Sequence, residues 1–150
     1  MKIVFYSLLI LLASQLNAYA CKCVIPGPDF EEAYKKADYV FIGQCVKAEF
    51  IKLNGSNPDS SYVVRYTFDI QQTWKGIMKQ EILAVDTGIG FGDCGFQFDL
   101  GLSYIIYGYA EDNTIYTNIC ARTRLAGFYP NRIEEKAKDE ISRLDSILKN

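Results

Sequence analysis

The chain has no histidine at all. That removes the commonest general base, the usual nitrogen ligand for a metal and any Ser–His or Cys–His nucleophile pair. Carboxylates can run an enzyme without histidine, but no pair stands out. Asp86, Asp93 and Asp99 flank a glycine-rich segment, where turn residues are the natural reading. Neither an enzyme nor a cofactor of the protein's own is expected. An excess of positive charge is also missing. Lys and Arg number 16 against 18 Asp and Glu, so nucleic acid is not the expected partner. After the first 20 residues no apolar run is long enough to span a bilayer.

Aromatic side chains are plentiful, with 11 Tyr and 9 Phe, and 49% of the chain is hydrophobic. That suits a packed core rather than disorder. The leader carries one early charge, Lys2, an apolar run from Ile3 to Leu12, and small residues at Ala18 and Ala20. This is the layout of a secretory signal peptide over residues 1–20. The reading is a secreted, extracellular protein, or a periplasmic or cell-surface one if the source is bacterial. Cleavage after Ala20 leaves residues 21–150, with 15 Lys and Arg against 18 Asp and Glu, as one domain by size, and a monomer is expected.

Cleavage also makes Cys21 the first residue of Cys21-Lys22-Cys23. Its free α-amino group, with an ordinary pKa of about 7.7–8.0, and its carbonyl oxygen can close a five-membered chelate on a metal ion. Spacing alone favours a plainer role, a staple of the N-terminus to the core. Five cysteines are present: Cys21, Cys23, Cys45, Cys94 and Cys120. In an exported chain most should pair, and an odd count leaves one over. Cys45 lies in an apolar, strand-like run and is the candidate free thiol, buried and inert. The other four allow three connectivities, among which spacing does not choose.

Pro26-Gly27-Pro28 ends the first segment. Asp29 is placed to cap a short helix, with Glu32 three residues on and Phe30, Ala33, Tyr34 and Ala37 as its buried stripe. Val40 to Val46 reads as a strand buried on both faces. Residues 54–61 read as a hairpin tip, and Asn54-Gly55-Ser56 is a glycosylation sequon. In the alternating run Tyr62–Ile70, residues Val64, Tyr66, Phe68 and Ile70 share a face, and Trp74-Lys75-Gly76 closes that strand in a turn. Further strands are predicted at 81–85, 104–109 and 114–120, with an irregular loop from Thr87 to Gly95. Asn131 and Glu134 suggest a capping box for a last helix over about 131–149, with Ile133, Ala137, Ile141, Leu144 and Leu148 as its apolar stripe. Five strands, two hairpins and a glycine-rich break predict a mainly β fold. The simplest match is a five-stranded Greek-key barrel of the OB type, spanning about 21–124, with a short N-terminal and a longer C-terminal helix.

Several of these residues resemble the tissue inhibitors of metalloproteinases, whose N-terminal domain is netrin-like. The matching features are Cys21-Lys22-Cys23, Pro26, Ala33-Tyr34 with Ala37-Asp38 and Val40, then Tyr66-Thr67-Phe68-Asp69-Ile70 with Trp74-Lys75-Gly76. Cys94-Gly95, Leu100-Gly101, Tyr104 to Gly108 and Cys120 follow in the same order, so the resemblance covers about Cys21 to Arg124. It implies a netrin-like OB barrel and the disulfides Cys21–Cys94 and Cys23–Cys120. A third bridge of that family has neither of its cysteines here, Lys35 standing at the helix position, and the family's second, cysteine-rich domain is absent.

The resemblance also implies an activity. In that family the first residue's amine and carbonyl chelate the zinc of a metalloendopeptidase, so Cys21 would be the zinc-binding residue in trans. Cys21, Lys22 and Cys23 would be protease contacts. The second position is usually Ser or Thr and enters the specificity pocket. Here it is Lys22, whose ammonium is costly to bury without a partner. The alternative is a secreted netrin-like binding or structural module that inhibits nothing. A lipoprotein acylated on Cys21 ranks last, because Tyr19 fits a lipobox poorly.

Overall fold

The structure, a computed structural model, describes residues 23, 29–53, 62–76, 82–90, 93–111 and 114–149. The leader, Cys21, Lys22 and the hairpin tip with Asn54 lie outside these residues. The first element is helix α1, Phe30–Lys36. The Asp29 carboxylate accepts the Glu32 N–H at 2.8 Å and so caps a free donor of the first turn, as its sequence predicts. Ala37 ends the helix in an extended conformation and leads into the sheet.

The strands are β1 (Tyr39–Lys52), β2 (Tyr62–Lys75), β3 (Ile82–Thr87), β4 (Ser103–Glu111), β5 (Thr114–Tyr116), β6 (Arg124–Phe128) and β7 (Arg132–Ile133). The first five close a ring. β1 pairs with β2, β2 with β3, β3 with β5, β5 with β4, and β4 returns to β1. Only the β3–β5 pairing is parallel. This is a five-stranded, closed, OB-like Greek-key barrel in a mainly β chain with one helix near each end. β6 adds to β4 outside the ring, and β7 adds to β6.

Two apolar layers share β1 and β4. Phe41, Cys45, Val64, Tyr66, Phe68, Val85, Phe98, Tyr104 and Ile106 fill the barrel. Val40, Ile42, Ile105 and Tyr107 point the other way and meet Phe30, Ala33, Trp74, Ala137 and Leu144 from the helices and the neighbouring strand. Successive side chains of a strand alternate between faces. Where both faces are covered, at Val40–Ile42 of β1 and Tyr104–Tyr107 of β4, each strand reads as an unbroken apolar run. Each large side chain buried in this way contributes about 1.5–3 kcal/mol relative to exposure. Phe98 adds edge-to-face contacts with Tyr66, Phe68 and Tyr104 at centroid distances of 4.9, 5.0 and 4.8 Å. Val64, Tyr66, Phe68 and Ile70 do share the inward face of β2.

The last element is helix α2, Glu135–Ile147. It packs through Ala137, Glu140 and Leu144, all buried, with Ile141 and Ile147 partly covered. Glu140 is the surprise among them. Its carboxylate is 2% exposed and accepts from Arg122 Nε at 2.6 Å and Arg122 Nη2 at 2.7 Å. It also accepts the Tyr107 hydroxyl. Arg124 stands 3.7 Å away. Farther along, Asp145 Oδ1 accepts from Gln72 Nε2 and Trp74 Nε1, each at 2.7 Å.

The structure corrects several readings. Asn131 does not cap α2: the cap position is Glu134, which makes no side-chain cap bond, and Ile133 belongs to β7. Asn131 lies in the turn between β6 and β7, and Glu134 N–H donates to Ala126 O of β6 at 3.0 Å. Leu148 lies past the helix end and is 58% exposed, so it is not part of the packed stripe. β5 stops at Tyr116 rather than Cys120. Thr117 N–H still donates to Asp86 O of β3 at 3.0 Å, and its hydroxyl donates to Tyr107 O at 3.0 Å and meets the Thr123 hydroxyl at 2.8 Å. Asp86 is not a turn residue. It is a buried member of β3 whose carboxylate accepts two hydrogen bonds from Arg65, both 2.7 Å.

Candidate functional site

Three of the five cysteines come together at one end of the barrel, and local chemistry holds each in place. Past β5, the Asn118 side-chain oxygen accepts the N–H groups of Cys120 and Ala121 at 2.9 and 3.0 Å. This Asx turn, which the sequence reading did not single out, presents Cys120. Cys120 is bonded to Cys23, with their Cα atoms 5.2 Å apart. Next to it, Ile119 N–H donates to Cys94 O at 2.9 Å, so the turn and the glycine-rich loop are laced together by their backbones. Cys94 is itself disulfide-bonded. The implied pairing of Cys94 with Cys21 falls on residues outside those described.

The glycine-rich loop is ordered around Asp93. Its carboxylate accepts from Ile89 N–H at 2.6 Å, Gly90 N–H at 2.8 Å and Gly95 N–H at 3.1 Å. Partial burial raises the Asp93 pKa, but the three backbone donors outweigh it and hold the carboxyl below its ordinary value. Thr87 Oγ1 accepts Phe96 N–H at 2.8 Å and closes the loop base. Gly95 has no room for a side chain: a Cβ there would lie 2.0 Å from the Gly88 carbonyl oxygen. Cys94 takes the left-handed conformation, φ +63°. That costs a non-glycine residue about 1–2 kcal/mol, offset here by the loop's hydrogen bonds. Asp93 was legible only as a turn former; its role as the centre of the loop depends on amides brought in from both sides.

Cys45 stands apart from this group. It is a free thiol, fully buried in the barrel interior. Burial pushes its pKa up to about 11, although its contact with the Lys47 carbonyl pulls the other way. At neutral pH it is a protonated, apolar side chain.

Among the described residues no three His, Cys, Asp or Glu side chains are grouped to hold a metal ion. No helix among them is long and apolar enough to cross a membrane. An open groove of about 410 Å³ runs along α2 past Ile133, Ile141 and Asp145. Its acidic group, Asp145, is already used by Gln72 and Trp74. What the geometry provides is a rigid support for a main-chain segment: Cys23 is pinned two residues after the candidate start of the mature chain. Lys22 and Cys21, the other proposed contact residues, lie outside the described residues.

A closed OB-like barrel with a disulfide-tied segment at one end defines a class, small modules stapled for an oxidising compartment, and is compatible with secretion. No family model matches the sequence. The chain is similar to an NTR domain-containing protein of Margaritifera margaritifera, with 27% identity over 122 residues, covering 74% of this chain and 79% of that protein. Barrel and similarity together point to a netrin-like domain.

Proposed function

We propose that the protein is an exported inhibitor of zinc metalloendopeptidases, acting through the first residue of its mature chain. In this reading Cys21 follows the cleaved leader, and its α-amino nitrogen and carbonyl oxygen take the open position on the protease zinc, displacing the water needed for hydrolysis. Cys21, Lys22 and Cys23 are the protease contacts; the zinc is the target's, and the inhibitor needs no cofactor of its own. The observation that supports the reading is the support under that terminus, the Cys23–Cys120 bridge laced to the Cys94 loop. A terminus held in one geometry before binding loses less entropy on complexation. The similarity to an NTR domain-containing protein supports the module, and the resemblance in the Cys-x-Cys start supports the activity. Lys22 selects among targets: its ammonium suits a specificity pocket that carries a carboxylate and is costly in an apolar one.

The test is titration of a panel of zinc proteases with three forms of the mature protein. Wild type should inhibit at least one member. A form with one alanine added before Cys21 should bind none, because the amine is displaced from the chelating position. Lys22→Thr should gain against apolar pockets and lose against acidic ones. Equal inhibition by wild type and the extended form excludes chelation. Inhibition by no form favours the second reading, a netrin-like binding module, for which Lys22 is the motivating observation.

A further inference from the structure

Past Cys45, strand β1 loses one of its two neighbours. Its pairing with β4 runs from Tyr39 opposite Gly108 to Gln44 opposite Ser103. Cys45 then donates its N–H to Leu102 O at 2.9 Å and accepts from Gly101 N–H at 2.7 Å, where the lead into β4 turns away. Val46 is an extra residue in the ladder with β2, which steps from Cys45 opposite Phe68 to Lys47 opposite Thr67. From Lys47 to Lys52, β1 is paired with β2 on one side, and among the described residues no strand lies on the other. Residues 46–50 are all exposed, Phe50 to 76%. Such an edge is a template for another strand.

The side chains along it specify what that strand must carry. Glu49 stands opposite Arg65, and Arg65 opposite Asp86. Charges therefore alternate in sign across three strands, with Arg65 and Asp86 already joined by two hydrogen bonds of 2.7 Å. The next strand in the row has to place a cation beside Glu49. Lys47, two residues away on the same face and 2.9 Å from Glu49 within one chain, supplies that cation from a second copy. Antiparallel pairing about a two-fold axis at Ala48 sets each Lys47 opposite the other chain's Glu49. The small Ala48 pair then sits at the axis on the other face, with both Phe50 side chains beside it. Neighbouring registers are worse. An axis at Glu49 opposes two carboxylates, one at Lys47 opposes two ammonium groups, and one at Phe50 leaves Glu49 facing Ile51.

We propose that the protein forms a two-fold dimer by continuing its sheet through the 46–50 edge of β1, with reciprocal Lys47–Glu49 pairs setting the register and Ile51 turning away from the partner's Cys45, whose outer side is already taken. The interface is isologous: each chain donates and receives the same pair. The chain's pattern alone gives no sign of it, and leads to the expectation of a monomer, because the edge exists only once β4 has turned away.

Sedimentation velocity of the mature protein, from micromolar to millimolar concentration, tests this. Wild type should shift from monomer to twice that mass. Lys47→Glu alone and Glu49→Lys alone should each stay monomeric, since each opposes like charges across the axis. An equimolar mixture of the two should recover the doubled mass, because every cross-axis pair is again of opposite sign. Circular dichroism checks that both variants fold; if one does not, Lys47→Gln and Glu49→Gln replace them, and each must weaken self-association. A wild type that stays monomeric throughout overturns the proposal, as does a dimer that persists in both single variants or a mixture that fails to recover it. A monomer whose 46–50 amides become protected only when a zinc protease is added assigns the edge to that partner and also overturns it. None of these outcomes depends on zinc chelation.

Discussion

Arg122 and Glu140 form a two-pronged ion pair, Nε to Oε1 at 2.6 Å and Nη2 to Oε2 at 2.7 Å, that joins the loop before β6 to the buried face of α2. Arg122 is itself largely covered, at 18% exposed. Burial raises the Glu140 pKa, yet the hydrogen bonds from Arg122 and Tyr107 and the field of Arg124 win and leave it below the ordinary glutamate value. A carboxylate depressed on folding adds stability that is present above its unfolded pKa and is lost as pH falls through its folded one. Thermal melts should therefore show wild type losing stability as pH drops below the ordinary glutamate range. Glu140→Gln should be weaker at neutral pH and less sensitive to acid over that window. Glu140→Ala, which strands Arg122 in a largely buried site, should cost about 3–5 kcal/mol at neutral pH. Parallel acid profiles for wild type and Glu140→Gln would contradict the assignment.

Two leucines of α2's sequence stripe are expected to behave differently. Leu144 is fully buried against the outer layer, and Leu148 is 58% exposed. Leu144→Ala should cost roughly 2–5 kcal/mol, as for a core leucine. Leu148→Ala should stay within about 0.5 kcal/mol of wild type, as for a surface change. Chemical denaturation of both variants checks the contrast, and equal effects would place α2 in a different rotation.

Asp93→Ala should loosen the glycine-rich loop before it affects the barrel. Three backbone N–H groups lose their acceptor, at about 1–2 kcal/mol in this solvent-accessible loop. Amide exchange at Ile89, Gly90 and Gly95 should accelerate, while Val85 and Ile106 stay protected. Because the Asp93 pKa is lowered on folding, its contribution is present above the ordinary aspartate value and is lost on acidification through the lowered one. Unchanged exchange at the three amides would show that the loop is held by its bridges alone.

Cys45 should be invisible to thiol reagents in the native protein. Its raised pKa and full burial remove both thiolate and access. Ellman titration should find no reactive thiol in native, non-reduced protein and a single one in denaturant. Rapid labelling under native conditions would mean that the barrel opens at Cys45 or that the bridges are arranged differently.

The parts of the fold legible in the sequence are those where one physical rule acts alone. Asp29 with Glu32 announced a helix start because both partners lie within four residues. The alternation from Tyr62 to Ile70 survived because β2 has one face in the barrel there. β6 escaped notice because Leu125 and Phe128 are exposed, Gly127 interrupts the pattern, and its pairing partner, β4, is distant in sequence. Asn131 misled because a capping pair is a local signal, and the β6–β7 turn used the same residues for something else. At the site, Cys23 and Cys120 were visible as residue types, whereas Asn118 and Asp93 are ordinary turn formers until folding brings amides to their oxygens. Arg65 with Asp86 and Arg122 with Glu140 were invisible for the same reason: each pair lies on different elements.

Val40–Ile42 of β1 and Tyr104–Tyr107 of β4 wall two compartments at once, and this decides how the molecule comes apart. Val40 and Ile42 lean on the helix layer while Phe41 between them lines the barrel, and Tyr107 and Ile106 divide in the same way. A shared wall cannot lose one room and keep the other intact. Stripping α2 away would leave Val40, Ile42, Ile105 and Tyr107 facing water from the backs of the strands that close the ring. A shortened chain ending before Glu135 is thus not a minimal barrel but a sticky fragment, and calorimetry of the whole domain should record one cooperative melting event rather than two.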